Sequence, residues 1–241
     1  MGEGKHNNME QKKYTYEEFL EIIRTLRSEN GCPWDREQTH FSLRPCMMEE
    51  AAEVVAAIRI YEKTGHFENL REELGDVLLQ VVMHACIAQE EGLFTMDDVV
   101  NEVAEKMVRR HPHVFGEVEA DTSDQVLQNW DEIKKGEKAG KVQTHTPLRE
   151  IPLELPALTR ASKVLKKADK LYENQGTFEE TVENIRKAVE EMKALGSDAS
   201  DALSGPLGEL LMAASNIARI CKLPQEQILT DKIDNLIEKY E

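Results

Sequence analysis

Two short acidic stretches, Glu49-Glu50-Ala51-Ala52-Glu53 and Glu72-Glu73-Leu74-Gly75-Asp76, decide how this chain is expected to fold. Each lies in a segment whose apolar residues recur with helical spacing. That spacing predicts one helix from about Pro45 to Tyr61 and another from about Glu68 to Glu91. Because only a short connection around Gly65 separates them, the two helices are expected to pack antiparallel and to bring the acidic stretches together.

The spacing of the carboxylates within each helix indicates a shared face. Glu49, Glu50 and Glu53 lie within about 100° of arc, and Glu73 and Asp76 are three residues apart at the edge of an apolar stripe. Carboxylates gathered in this way repel one another unless cations neutralise them. Hard oxygen ligands favour Mg²⁺ or Mn²⁺. The alternative is a set of solvated surface acids, which is common in a chain with 46 acidic residues.

A basic cluster follows at the end of a later predicted helix, which finishes before Pro112. Lys106 and Arg110 are four residues apart and share a face, with Arg109 beside them. Such side chains are suited to phosphate oxygens. They are equally suited to a structural role, since cations near a helix C-terminus complement its dipole. Both interpretations remain open on spacing alone.

The remaining pattern is helical almost throughout, which predicts an all-α protein with two helical bundles in tandem. Gly31-Cys32-Pro33-Trp34-Asp35 is predicted to be a loop, in which Trp34 either stacks on a nucleobase or anchors the loop. Proline-rich sequence divides the chain. The predicted boundaries are a polar tail at 1–14, a first domain at 15–145, a linker at 146–156 and a second domain at 157–241.

Composition limits the classes of function. The net charge of −16 disfavours binding to nucleic acid, whose phosphates would be repelled. No apolar run reaches the roughly 20 residues that span a bilayer. The four cysteines are far apart and form no zinc or disulfide pattern, so a cytoplasmic protein is expected.

Several motifs in the first half resemble those of one family. The pattern Glu49-Glu50-x-x-Glu53 followed by Glu73-x-x-Asp76 is similar to the EExxE…ExxD signature of MazG-type nucleoside triphosphate pyrophosphohydrolases. Further stretches resemble family motifs in the same order, over about residues 15 to 150: Gly31 to Asp35, Leu74 to Leu78, Arg109 to Phe115, and Trp130-Asp131-x-Ile133-Lys134.

This resemblance implies a catalytic MazG domain in the first half, an all-α fold and a homodimer or higher assembly. It also implies Mg²⁺-dependent hydrolysis of an NTP to NMP and pyrophosphate, with Mn²⁺ able to substitute. The metal ligands would be Glu49, Glu50, Glu53, Glu73 and Asp76, and Glu49 or Glu50 would be the general base. Substrate contacts would come from Lys106, Arg109, Arg110, Lys134, Trp34, Asp35 and Gln38.

The second half departs from the family pattern. Where the first acidic motif should fall, the chain has Lys187-Ala188-Val189-Glu190-Glu191, and where the second should fall it has Pro206-Leu207-Gly208-Glu209. We therefore expect a degenerate second MazG-like domain with a structural or dimerising role. A non-catalytic nucleotide-binding regulator on the same fold is the main alternative for the whole chain. A di-iron bundle is disfavoured, because it needs Glu-x-x-His motifs on two helices.

Overall fold

The computed structural model describes residues 12–139, 146–172, 176–197 and 199–241. Within these ranges the chain is helical and has no strand. The α-helices are α1 (Tyr16–Arg27), α2 (Pro33–Glu37), α3 (Arg44–Thr64), α4 (Glu68–Glu90), α5 (Met96–Arg110), α6 (Pro112–Phe115), α7 (Ser123–Ala139), α8 (Ala157–Tyr172), α9 (Phe178–Leu195), α10 (Ser200–Ile220) and α11 (Gln225–Tyr240). A short 3₁₀ helix spans Pro147–Glu150. The all-α prediction is confirmed.

The described residues separate into two compact units, the first of which ends at Ala139. Residues 1–11 of the predicted tail and residues 140–145 at the end of the predicted first domain lie outside the described ranges. The domain roles predicted from sequence therefore stay predictions. None of the helices in the described ranges has the length and apolar character needed to span a membrane.

Local signals explain where the helices of the first unit begin and end. The Thr15 hydroxyl accepts a hydrogen bond from the Glu18 backbone N–H while the Glu18 side chain accepts one from the Thr15 N–H, so α1 starts with a complete capping box. Gly65 ends α3 with φ +76°, a left-handed conformation in which glycine carries no Cβ penalty. This turn reverses the chain, and α4 packs along α3.

The hydrophobic core of the first unit surrounds the C-terminal half of α4. Its buried members come from α1, from the residue before α3 and from α4: Leu20, Ile23, Leu43, Val82, Met83, Cys86 and Ile87. The N-terminal half of α4 lies outside this core. Its acidic residues Glu73 and Asp76 are consequently half-buried beside α3 rather than enclosed.

One local expectation, the loop at Gly31–Asp35, was wrong. Residues Pro33–Glu37 form a short helix rather than a loop, with Pro33 at its first position, where proline costs no hydrogen bond. Leu74 and Leu78 on α4 are 53% and 39% exposed. Trp130 is only half-buried and contacts the ring of His111 edge-on.

The second unit is built around α10, which packs against α9 and α8. A chain of polar contacts links these helices. Asn216 on α10 donates to the Thr181 hydroxyl on α9, and Arg219 on α10 donates to both Asn216 and Asp169 on α8. These polar side chains satisfy one another's hydrogen bonds, which offsets the cost of burying them.

Candidate metal centre and substrate site

The antiparallel pairing of α3 and α4 brings together carboxylates that are more than twenty positions apart in sequence. One oxygen each of Glu50, Glu73 and Asp76 lies within 4.8 Å of the others. All three side chains are half-buried. Among the described residues, no other three acidic, histidine or cysteine side chains converge in this way.

The electrostatics of this trio are dominated by repulsion between neighbouring carboxylates. Partial burial and the neighbouring carboxylates of Asp76, Glu53 and Glu49 raise the pKa of Glu50. Partial burial, Glu53 and Asp76 likewise raise the pKa of Glu73. Each charge makes its neighbour harder to ionise. A divalent cation between the carboxylates would remove this repulsion, and oxygen donors of this kind suit Mg²⁺ or Mn²⁺.

Glu49 and Glu53, also predicted as metal ligands, are exposed and lie outside the trio. Glu53 acts electrostatically on both Glu50 and Glu73, so it lies at the margin of the cluster. Glu49 acts on Glu50 through its charge alone. The structure thus leaves Glu53 and Glu49 outside the trio, with Glu53 acting on two of its members and Glu49 on one.

Gln80, one helical turn after Asp76, has a buried carboxamide oxygen with no hydrogen-bond partner among the described residues. A buried acceptor without a partner costs free energy, so such a group is usually satisfied by a ligand or an ordered water. Gln80 was not selected as a site residue from sequence. The helical spacing from Asp76 is the signal that could have identified it.

Three predicted substrate residues, Trp34, Asp35 and Gln38, lie in or beside α2. The Arg27 guanidinium at the end of α1 holds this segment by donating to the backbone oxygens of Asp35 and Gln38, at 2.6 and 3.3 Å. It also forms two hydrogen bonds with Glu90 on α4, at 2.8 and 2.7 Å. Trp34 itself is exposed. Arg27 therefore ties the α2 segment to the core, a role that sequence reasoning missed.

The basic residues predicted to bind phosphate are engaged elsewhere or exposed. Arg109 and Arg110 both donate to Glu137 on α7, at 2.8 and 2.6 Å, and Arg110 also lies over the Trp130 ring. The hydrogen bonds from Arg110, and then that from Arg109, hold the pKa of Glu137 down to about 2. Lys106 is half-buried and lines a small cavity on α5 with Asp98 and Glu102.

Lys134 is exposed on α7. Among the described residues, none of these four cations forms a hydrogen bond or ion pair with the carboxylate trio, so their contact with substrate stays a prediction.

A helical bundle that joins carboxylates from two antiparallel helices is typical of proteins that bind a divalent cation and, through it, a phosphorylated ligand. Comparison with known proteins specifies this class further. The MazG nucleotide pyrophosphohydrolase domain family matches residues 38–115, a range that includes the trio, Gln80 and both α5 arginines.

Several relatives extend the similarity beyond that range. A nucleoside triphosphate pyrophosphohydrolase of Escherichia coli K12 is 40% identical over 83% of this chain and 76% of its own length. The nucleoside triphosphate pyrophosphohydrolase/pyrophosphatase MazG of Thermotoga maritima is 37% identical over 96% of this chain and 86% of its own. The uncharacterized protein YabN of Bacillus subtilis is 44% identical over 96% of this chain, which spans about half of that relative's length. The chain belongs to the MazG nucleotide pyrophosphohydrolase family.

Proposed function

We propose that this protein is a Mg²⁺-dependent nucleoside triphosphate pyrophosphohydrolase, an enzyme acting on acid anhydrides that converts an NTP and water into NMP and pyrophosphate. The observation that carries the proposal is the convergence of Glu50, Glu73 and Asp76 within 4.8 Å in a family of nucleotide pyrophosphohydrolases. The names of the Escherichia coli and Thermotoga maritima relatives support the same reaction. Mn²⁺ would substitute because it accepts the same oxygen ligands.

The carboxylates divide into two roles. Glu50, Glu73 and Asp76 would hold the metal, with Glu53 completing the set from the margin of the cluster. When bound, Mg²⁺ supplies positive charge that offsets the triphosphate and activates water for attack on the α-phosphorus. Glu49, which acts on Glu50 from outside the trio, would accept a proton from the attacking water, and Glu50 is the alternative base.

The nucleoside end of the substrate would meet the α2 segment. Trp34 offers an exposed aromatic face for stacking, and Asp35 and Gln38 are half-buried polar groups held beside it by Arg27. Arg109, Arg110, Lys106 and Lys134 would offset charge on the departing pyrophosphate. For the two arginines this requires exchanging Glu137 for phosphate oxygens, since Glu137 occupies both of them here.

A homodimer or higher assembly is supported by an apolar surface on the α3–α4 pair. Val55, Ile58, Leu74 and Leu78 on these helices are all exposed. Apolar residues grouped on neighbouring helices are typical of subunit interfaces. Sedimentation analysis of the double variant Val55→Asp, Leu78→Asp should show a smaller species than the wild type, and an unchanged mass would exclude this face as the interface.

The second unit is proposed to be non-catalytic. Ala188 and Pro206 stand where the family pattern places carboxylates, and no converging trio is found among the second unit's described residues. Changing Glu191 to Gln in the full chain should therefore leave kcat within about twofold of the wild-type value.

A cytoplasmic location without nucleic-acid partners is also proposed, from the four free cysteines and the net charge of −16.

The test is a product analysis of the purified full chain with NTP and Mg²⁺, using Glu73→Gln and Asp76→Asn beside the wild type. We expect NMP and pyrophosphate from the wild type and a loss of at least about 100-fold in each variant, because each removes a charged metal ligand. Glu62→Gln, an exposed change on α3, is the matched control and should retain activity. NDP and phosphate would refute the reaction, and no turnover of any nucleotide would favour the regulatory alternative.

A further inference from the structure

The second unit contains a cavity that the proposed hydrolysis does not use. It lies between α8, α9 and α10 and has a volume of about 580 Å³. Cavities that take small organic ligands measure roughly 300 to 1,000 Å³. All of its described lining residues belong to the second unit, so the cavity is formed without the carboxylate trio.

The wall of the cavity combines apolar surface with buried hydrogen-bonding groups. Leu165, Met212 and Ala213 supply the apolar surface. Thr181 and Asn216, 2% and 6% exposed, supply the buried polar groups. The wall therefore offers an apolar surface for a ring and polar groups that can orient an organic ligand.

The polar part of the wall is held in one arrangement by a chain of hydrogen bonds. The Asn216 amide donates to the Thr181 hydroxyl at 2.9 Å, and that hydroxyl donates to the Thr177 backbone oxygen at 2.7 Å. Arg219 donates to the Asn216 amide oxygen at 2.8 Å and to Asp169 at 3.0 Å. Because its polar groups are fixed before a ligand arrives, little side-chain entropy would be lost on binding.

The charge of the lining determines which ligands the cavity accepts. Glu180 and Glu209 line it together with Asn184, and its described lining includes no lysine or arginine. Carboxylates repel a polyphosphate and accept hydrogen bonds from hydroxyl and amino groups. A planar ring would lie against the apolar wall, and attached hydroxyl and amino groups would donate to Glu209 and Asn184. A nucleoside without phosphate has both features.

We propose that the cavity between α8, α9 and α10 binds an uncharged nucleoside without hydrolysing anything. This goes beyond the proposed function, since it assigns a second ligand site to the unit that lacks the carboxylate trio. The site recognises the dephosphorylated counterpart of the substrate through Asn184 and Glu209, while Thr181 and Asn216 hold the wall in place. Its carboxylates keep the triphosphate out, so the two sites do not compete for one ligand.

The test measures binding of adenosine, guanosine, cytidine and uridine to the full chain by calorimetry in excess EDTA, which keeps the metal site out of the measurement. We expect saturable binding of at least one nucleoside. Ala213→Leu, which fills the cavity, and Thr181→Val, which removes a buried hydroxyl at almost constant volume, should each weaken that binding at least tenfold. Ala214→Leu, an exposed change at the next position of α10, is the matched control and should bind like the wild type.

Three results would overturn the proposal: no nucleoside binding by the folded wild type, binding that Ala213→Leu and Thr181→Val leave unchanged, or displacement of the nucleoside by spermidine at equal affinity. The last would mean that the carboxylates select an organic cation. Circular dichroism identifies a variant that fails to fold, and Met212→Trp, at an exposed edge of the cavity, then replaces it. Failure of NTP hydrolysis would leave these results unaffected, so the two proposals are distinguishable.

Discussion

Replacing Arg27 by alanine is expected to destabilise the first unit and to weaken substrate binding together. The Arg27 side chain is only 4% exposed, whereas its partner Glu90 is 50% exposed. The guanidinium links three parts of the unit, namely the end of α1, the α2 segment and the end of α4. Removing it leaves two backbone oxygens without their donor and frees the segment that carries Trp34.

The size of the effect follows from these contacts. Hydrogen bonds to a charged group contribute about 1.5–3 kcal/mol each, and breaking a fully buried ion pair costs about 3–5 kcal/mol. Glu90 is half exposed and would be hydrated when Arg27 is removed, so the ion pair with Glu90 contributes less than a fully buried pair would. We therefore expect a loss of about 3 kcal/mol in the free energy of unfolding, with Arg27→Lys intermediate because an ammonium group cannot reproduce the two-pronged contact with Glu90.

Urea unfolding followed by tryptophan fluorescence provides the assay. Both tryptophans, Trp34 and Trp130, lie in the first unit, so the signal reports that unit alone. Arg24→Ala is the matched control: it removes a half-exposed arginine of the same helix, 3.8 Å from Glu21, and should cost less than about 0.5 kcal/mol. In steady-state kinetics, Arg27→Lys should raise KM more than it lowers kcat, since the α2 segment is proposed to contact the nucleoside.

A loss below about 1 kcal/mol in Arg27→Ala would refute the reasoning, because the two carbonyl contacts alone should exceed that amount. An unchanged KM in Arg27→Lys, with stability reduced as expected, would separate the structural role from the proposed substrate contact. Arg27 would then stabilise the fold without positioning the nucleoside site.

Three further predictions concern stability. Arg110 and Arg109 hold the pKa of Glu137 at about 2 in the folded chain, below its ordinary value of 4.5. The stability from these ion pairs is therefore complete above about pH 4.5 and is lost as the pH falls towards 2. In acid unfolding, Glu137→Gln should not show this loss of stability between pH 4.5 and 2. Burial, and then the neighbouring His40 ring, lower the pKa of His84 below its ordinary value of 6.5, so the free energy of unfolding should fall as the pH drops below about 6.5. Unfolding curves of His84→Asn measured from pH 8 to 5 should not show this pH dependence. Thr95→Ala removes the cap of α5 and should cost about 1 kcal/mol in urea unfolding, and no measurable loss would contradict the capping argument.

The helices were predictable because their signals are local. Apolar spacing, the capping box at Thr15 and the glycine turn at Gly65 act within a few residues, so the observed bounds of α3 and α4 lie within three residues of those expected. The α2 helix is not predictable in this way, because Gly31 and Pro33 also favour a loop and proline is equally favourable at the first position of a helix.

Sequence alone determined that the chain is all-α and that its carboxylates lie on two helix faces, since helical geometry specifies which residues of one helix share a side. Only the tertiary structure decided which carboxylates meet: Glu50, Glu73 and Asp76 converge and Glu49 does not. It also paired Arg109 and Arg110 with Glu137, more than twenty residues away. The angle and distance between two packed helices depend on the side chains that meet at their contact. Those side chains come from distant parts of the chain, so a local sequence pattern does not determine the angle or the distance.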